Sequence, residues 1–151
     1  MVNPDPEITQ LLADLRNFDK NLRRRAVYKL GMKGGEDALR ALMVAVEDSN
    51  EDLIVRGRAA QMLGKMKDPR AVDPLITALE ARGYQTPIHA AEALGQIGDG
   101  RAVAPLLAMM EAHDNDGARD AATKALTRLG HDPAQDELDK RDTTETLEVV
   151  G

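Results

Sequence analysis

Apolar side chains recur along the chain at helical spacing, in short stripes that stop at polar turns and then start again. Between positions 55 and 79, a first stripe ends at Asp68-Pro69 and a second stripe follows. The first comprises Val55, Ala59, Leu63 and Met66, and the second comprises Val72, Leu75, Ile76 and Leu79. Because residues three or four apart share one face of a helix, the stretch predicts a helix, a tight turn and another helix.

The same helices recur over most of the 151 residues. One pattern occurs at 8–15, 39–46, 72–79 and 103–110, and a second pattern at 22–31, 55–64, 86–95 and, more loosely, 118–127. Copies of the second pattern share a small residue, Ala26, Ala59, Ala90 or Ala122, and a Leu, Leu30, Leu63, Leu94 or Leu126. Successive Leu residues are 33, 31 and 32 positions apart. Such a period is typical of stacked helical repeats.

These copies predict four helix pairs, in repeats of about 5–33, 36–67, 69–98 and 100–130, within a repeat domain of residues 1–131. The segment 132–151 is predicted to be a cap segment followed by an acidic tail. Pro133 to Leu138 should begin a cap helix over the open end of the stack. Residues 139–151 are polar and show no helical stripe, which predicts a flexible tail. Alternatively, Leu147, Val149 and Val150 form a short docking segment.

The stretches AAQMLGKMKDPRAVDPLITAL and AAEALGQIGDGRAVAPLLAMM resemble the short HEAT repeats of the phycobilin-lyase type. The resemblance covers nearly the whole chain except the last twenty residues. It implies an all-α fold, an armadillo-like right-handed α-solenoid of about four HEAT-like helix pairs, with the second helices on the concave side. Because this repeat occurs in proteins with unrelated functions, the resemblance says little about the function of this chain.

Composition narrows the class of protein. There are three aromatic residues and no Cys, so Ala, Leu, Val, Ile and Met must fill the core and no disulfide is possible. The N-terminal sequence lacks a basic region followed by an apolar run, and the chain has no apolar run of membrane-spanning length. We therefore expect a cytoplasmic protein that makes no membrane contact.

The net charge of −6 is unevenly distributed. Residues 21–33, 52–67, 86–97 and 117–130, the predicted second helices, carry 12 basic and 3 acidic residues, whereas the remainder carries 8 basic and 23 acidic residues. Acidic caps and basic helix ends explain only part of this difference. The sequence thus predicts a basic concave groove that holds an acidic segment of another protein. The proposed contacts are Arg24, Arg25, Lys29, Arg58, Gln61, Lys65, His89, Glu92, Lys124 and Arg128.

A second row of polar residues is predicted to be structural. Arg23, Arg56 and Arg119 occupy matched places, and Asp19, Asp52 and Asn115 each lie four residues earlier. We expect each acidic or amide side chain to meet an Arg across a helix start, with an Arg row that grips external carboxylates as the alternative. The third repeat breaks this row. Its helix should start late, with Thr86 as N-cap and Pro87 first, and should push Tyr84 toward solvent, either as a local adjustment or as a recognition feature.

Catalytic and metal-binding patterns are missing from the sequence, so neither a cofactor nor an enzymatic activity is expected. Deoxyhypusine hydroxylase, an enzyme family with HEAT repeats, resembles the chain around HAAEALGQIG, but its di-iron site needs adjacent His-Glu pairs. Here His89 is followed by Ala90, and the chain has 3 His. Three scattered His residues cannot supply such a centre.

The leading hypothesis is therefore a non-enzymatic scaffold for protein–protein interaction. The alternatives are a subunit of a bilin lyase-like or other HEAT-repeat enzyme, and a nucleic-acid binder of the HEAT-like type, which the net charge of −6 makes the weaker candidate. An end-to-end homodimer is a further expectation, because a short stack leaves two apolar ends. The acidic tail is also an alternative occupant of the groove.

Overall fold

The structure, a computed structural model, describes residues 3–150, with the side chains of 136 and 145–150 left out. Within that range the chain forms nine α-helices. They are α1 (Pro6–Asp14), α2 (Lys20–Lys33), α3 (Glu36–Glu47), α4 (Leu53–Met66), α5 (Val72–Ala78), α6 (Gln85–Ile97), α7 (Val103–Ala112), α8 (Asp116–Arg128) and α9 (Pro133–Val150). Short 3-10 turns, Pro69–Ala71 and Gly100–Ala102, precede α5 and α7.

The first eight helices form two layers. Each odd-numbered helix packs against the next even-numbered helix, and α2, α4, α6 and α8 also pack side by side in that order. The even-numbered helices therefore form a continuous inner layer, with α1, α3, α5 and α7 outside it. This arrangement confirms the predicted α-solenoid of helix pairs.

The repeated Ala and Leu positions form the core. Ala59, Leu63, Ala90 and Leu94 are fully buried, and so are the matched residues of the first and last pairs. Burying one Leu side chain contributes about 1.5–3 kcal/mol. Because the inner helices pack through Ala, they approach one another closely.

Two glycines in this layer allow the approach. A Cβ on Gly64 would lie 2.8 Å from the Cα of Ala93, and one on Gly95 would lie 3.1 Å from the Cα of Ala125. Neither glycine supplies the left-handed exit of its helix, because those exits fall at Lys67, with φ of 54°, and Gly98, with φ of 80°.

The start of α6 corrects one sequence expectation. Helix α6 begins at Gln85, so Thr86 is not its N-cap; the Thr86 side chain is buried, and its hydroxyl donates to the carbonyl of Leu53 at 3.5 Å. Tyr84, as expected, is exposed. Pro74 lies in the first turn of α5, where no backbone amide is needed for an internal hydrogen bond, so the proline removes none.

The C-terminal segment differs most from its prediction. It forms one helix, α9, through Val150, although the sequence predicted a flexible tail from 139. Intrahelical contacts such as the 2.9 Å hydrogen bond from the Gln135 amide to Asp139 replace the missing apolar stripe. The described side chains from Ala134 to Thr144 are exposed, and Leu138 is 52% exposed, so they do not cap the core. The suggested docking segment of Leu147, Val149 and Val150 lies outside the described side chains.

Candidate functional site

The free face of the inner layer presents a regular grid of side chains. In α4, Ile54, Arg58, Gln61 and Lys65 are spaced by four, three and four residues and form one stripe along the helix. The matched stripes are Asn21, Arg25, Tyr28 and Met32 in α2, Gln85, His89, Glu92 and Gln96 in α6, and Gly117, Ala121, Lys124 and Arg128 in α8. Because the four helices lie side by side, these stripes form one surface.

A groove of about 540 Å³ crosses the first three stripes. We call it the inner groove; its charged and polar lining residues are Arg25, Tyr28, Lys29, Arg58, Gln61, Lys65, His89, Glu92 and Gln96. Four of these side chains are cationic at neutral pH and one, Glu92, is anionic. Seven of the ten predicted contact residues therefore line this one groove: Arg25, Lys29, Arg58, Gln61, Lys65, His89 and Glu92.

A smaller groove of about 330 Å³ continues the surface between α6 and α8. It includes Glu92 again, together with the predicted contacts Lys124 and Arg128. Lys124 pairs with Asp120 at 2.9 Å, and this carboxylate raises the pKa of the Lys124 ammonium. This end of the surface is therefore less positive than the inner groove.

Most cations of the inner groove have no acidic partner. Arg25, Lys29 and Lys65 have no carboxylate within 4.0 Å among the side chains that the structure describes. Arg58 donates to the backbone carbonyl of Arg24 at 3.0 Å, which orients its guanidinium without neutralising it. The groove thus presents unneutralised positive charge to an incoming anion.

Arg24, which was predicted to contact a partner, instead joins two repeats. Its guanidinium forms a bidentate pair with the carboxylate of Asp52, at 2.7 and 2.9 Å. The Arg24 hydrogen bond is the largest cause that lowers the pKa of Asp52 to about 2, and hydrogen bonds from the amides of Val55 and Ile54 lower it further. The stacking register of α2 and α4, which creates this contact, is not visible in the sequence.

The predicted second row of polar residues is structural, as expected, but its members pair with other residues than predicted. Asp19, Asp52 and Asn115 all act as N-caps. Arg23 pairs with Glu51 of the next repeat at 3.0 Å, and Arg119 pairs with Asp116. Arg56 is 3% exposed and donates to the Val46 carbonyl at 3.1 Å, and burial lowers the pKa of its guanidinium. Arg23 and Arg56 therefore brace adjacent elements and do not face the inner groove.

His89 lies at the centre of the surface. Its Nδ1 atom is buried, lies 3.5 Å from the Glu92 carboxylate, and has no hydrogen-bond partner among the described atoms. A separation of 3.5 Å is at the outer limit for a hydrogen bond. The ring packs over Gly57, since a Cβ placed there would lie 3.0 Å from the His89 Cδ2 atom.

The sequence analysis missed an apolar cluster beside the inner groove. Leu53, Ile54 and Tyr84 are exposed and line a groove of about 390 Å³ at the start of α4 and α6. Of the three, the sequence had singled out only Tyr84. The available signal was the Leu53-Ile54 pair, which lies outside the buried stripe that begins at Val55.

A larger cleft of about 830 Å³ opens in the outer layer between α5 and α7. It is lined by apolar residues such as Ile76 and Met109, has Glu80 and Asp114 among its polar residues, and contains no Lys or Arg. One side of the cleft is the end of α5, which stops at Ala78, and the residues that follow it. Its chemistry is opposite to that of the inner groove.

Two further findings concern the part of the chain that the structure describes. No group of three or more His, Asp or Glu side chains there is arranged to hold a metal ion. Nor does any helix there have the length and apolar character needed to cross a membrane.

Comparison with known proteins identifies the family. The family model for HEAT repeats matches residues 8–86 and 78–150 of this chain. The chain belongs to the HEAT-repeat family. No significant match is found among curated protein sequences.

Two solved structures share this HEAT-repeat fold at 25% sequence identity and a TM-score of 0.71. One is the complex of CpcE and CpcF of phycocyanin lyase from Nostoc sp. PCC7120, where the match covers 86% of this chain and 56% of that chain. The other is human deoxyhypusine hydroxylase in complex with glycerol, with 86% and 46% covered. An engineered protein matches at 19% identity and a TM-score of 0.61, over 85% and 64% of the two chains. This HEAT-repeat chain thus spans about half of the length of the first two neighbours.

Proposed function

We propose that this HEAT-repeat protein is a non-enzymatic scaffold whose inner groove binds an acidic segment of another protein. The observation that supports this most strongly is a set of cations, Arg25, Lys29 and Lys65, that share one continuous surface and have no carboxylate partner among the described side chains. Collecting like charges without partners costs free energy in the unbound protein. An anionic ligand removes that cost, and carboxylates suit the fork of Arg58.

The dimensions of the groove favour a short extended segment. From Ile54 to Lys65 the α4 stripe rises over eleven residues, or about 16 Å. An extended chain advances about 3.3 Å per residue, so roughly five residues span the stripe. Neighbouring inner helices lie about 8–10 Å apart, so a segment that crosses the stripes contacts two or three helices.

The comparisons agree with a role in protein binding without establishing one. One structural neighbour is a complex of two proteins, CpcE and CpcF. By analogy, we expect this chain to act together with another protein, and we keep the end-to-end homodimer and the cytoplasmic location as predictions.

Titration of a fluorescein-labelled deca-glutamate peptide, followed by anisotropy, tests the proposal. We expect Arg58→Glu/Lys65→Glu to weaken binding at least about tenfold, because two attractive contacts become repulsive. Arg16→Glu/Lys20→Glu makes the same change in net charge at exposed positions outside the grooves and should stay within about twofold of wild type. Equal weakening by both variants, or no binding by the wild type, would contradict the proposal.

The same titration separates the nucleic-acid alternative. A single-stranded ten-nucleotide oligomer carries a similar charge but requires phosphate contacts and base stacking. We expect it to displace the peptide no better than unlabelled deca-glutamate does. Displacement at a much lower concentration would favour nucleic acid as the ligand.

An enzymatic role remains the other alternative, because both 25%-identical neighbours are named for enzymes. We expect purified protein to contain no stoichiometric iron and to induce no change in the visible spectrum of added bilin. Elemental analysis and absorption spectroscopy measure these two properties. Either signal would replace the scaffold by an enzyme or enzyme subunit.

A further inference from the structure

The apolar cluster of Leu53, Ile54 and Tyr84 indicates what the bound segment carries besides acidic residues. We propose, building on the proposed function, that the ligand of the inner groove is a partner-protein segment with one large apolar side chain two to five residues from its acidic residues. That side chain packs in the groove at the start of α4 and α6, which we call the apolar notch. Three observations support it. The notch is continuous with the inner groove, its apolar side chains are exposed, and its distance from the groove cations matches a short peptide segment.

The apolar notch and the inner groove are parts of one surface. Arg58, Gln61 and His89 line both. The floor of the notch is Gly57, and the His89 ring lies over it, because no Cβ intervenes. A segment that leaves the inner groove along α4 therefore enters the notch without crossing a ridge of the outer layer.

The exposed apolar residues of the notch form a cluster and are not scattered singly over the surface. Ile54 is 46% exposed and Tyr84 is 48% exposed, and together with Leu53 they line one cavity. Leu53 and Tyr84 occupy matched positions in successive repeats, so the stacking of α4 and α6 brings them together. By contrast, Phe18 and Val44 are more exposed but line none of the grooves described above. A contiguous apolar patch with a polar rim marks a contact site more often than single residues do.

The stripe of α4 sets the spacing within the ligand. Ile54 lies one helical turn from Arg58, about 6 Å away, and about 16 Å from Lys65. At about 3.3 Å per extended residue, these distances correspond to two and five residues. An acidic residue at either separation from the apolar anchor would face a cation. Arg82 at the notch rim supplies another cation there.

A partner segment fits this chemistry better than a second copy joined through the notch alone. Two apposed copies would bring the cations Arg58 and Arg82 of each copy together. The C-terminal segment of this chain is the other candidate occupant, since Leu138 is exposed between Glu137 and Asp139. In the structure, however, these residues lie in α9 and none of the grooves includes them.

Selection from a displayed library of random 12-residue peptides tests the proposal and does not require that the partner be identified first. We expect enrichment of peptides with at least three acidic residues and a Leu, Ile, Met, Phe or Tyr two to five positions away. Enrichment of acidic residues with no preferred apolar position would overturn the inference and leave the proposed function standing. A lack of acidic enrichment would overturn the proposed function itself.

Anisotropy with the best selected peptide then locates the anchor. Ile54→Ser/Tyr84→Ser should weaken binding about tenfold, as expected for one buried aliphatic side chain. Replacing the peptide's apolar residue by Ser should have little further effect on this variant. Phe18→Ser/Val44→Ser removes more exposed apolar side chains elsewhere and should bind as wild type does. Binding by the Ile54→Ser/Tyr84→Ser variant as tight as that of wild type would overturn the inference. Tenfold tighter peptide binding after deletion of residues 133–151 would also overturn it, because this chain's own C-terminal segment would then be the occupant of the notch.

Discussion

Two groups of basic side chains in this solenoid lie in different regions. Where successive repeats meet, arginines pair with carboxylates of the neighbouring repeat at 2.7–3.7 Å. These pairs are Arg23–Glu51, Arg24–Asp52, Arg70–Glu36 and Arg101–Asp73. In the inner groove, Arg25, Lys29 and Lys65 have no such partner within the described part of the chain.

This difference separates two uses of the same residue types. A charge paired across a repeat boundary helps to fix the stacking register, because its partner belongs to the next helix pair. An unpaired charge on the free face does nothing for the stack and remains available to a ligand. Substitutions at boundaries should therefore change stability, and substitutions in the groove should change binding.

Arg56, which joins α3 and α4 within one helix pair, gives the largest expected effect on stability. Arg56→Ala should lower the free energy of unfolding by about 2–3 kcal/mol, because it leaves the buried Val46 carbonyl unsatisfied and removes the packed side-chain stem. Urea unfolding followed by circular dichroism measures the change. A loss below about 0.5 kcal/mol, the range of ordinary surface substitutions, would contradict the structural role of this buried arginine.

Asp52→Asn isolates the boundary ion pair. Asn remains a good N-cap, so the substitution mainly removes the charge that faces Arg24 and should cost about 1–2 kcal/mol. Asp19→Asn is the matched control, since Asp19 caps α2 without an ion pair in the described structure. It should cost less than half as much in the same unfolding experiment. Equal costs would show that the Arg24 pair does not stabilise the stack.

The stability difference between wild type and Asp52→Asn should depend on pH. The pKa of Asp52 is about 2 in the folded protein, below its ordinary value of 3.8. A carboxyl with a lowered pKa contributes stability above the ordinary value and loses it as pH falls toward the folded value. The two proteins should thus differ fully at pH 6 and converge between about pH 4 and pH 2. A difference that stays constant over this range would exclude the charge of Asp52 as its cause.

Lys65 gives the smallest expected effect on stability. Lys65→Gln should change the free energy of unfolding by less than about 0.5 kcal/mol, because its side chain is exposed and has no carboxylate partner among the described residues. Any change should be toward greater stability at low salt, since one of four neighbouring cations is removed. Thermal unfolding at two salt concentrations measures it. A loss above 1 kcal/mol would place Lys65 with the boundary residues.

The sequence predicted what local periodicity determines. Leu63 and its matched residues are buried because each stripe lies on one helical face, and the repeat period shows that the helices stack. Most groove residues were also predicted, because the resemblance places the second helices on the concave side and these helices carry the excess of basic residues. Arg25 and Lys65 were found in this way.

Contacts between repeats could not be predicted in the same way. The Arg24–Asp52 pair depends on the offset between α2 and α4, which no local pattern specifies. Helix α9 lacks an apolar stripe, so periodicity had nothing to detect. Thr86 resembled an N-cap, but tertiary packing buried it against the preceding repeat and moved the helix start to Gln85.

Mapping by two-dimensional ¹⁵N–¹H NMR tests the central claim most directly, because it shows where an acidic ligand lies without a substitution. We expect a titrated deca-glutamate peptide to shift the amide signals of Arg58, Gln61 and Lys65 on the inner face. The signals of α3 and α5 in the outer layer should stay unchanged. Shifts confined to the outer layer, or none on the inner face at saturating peptide, would contradict the account.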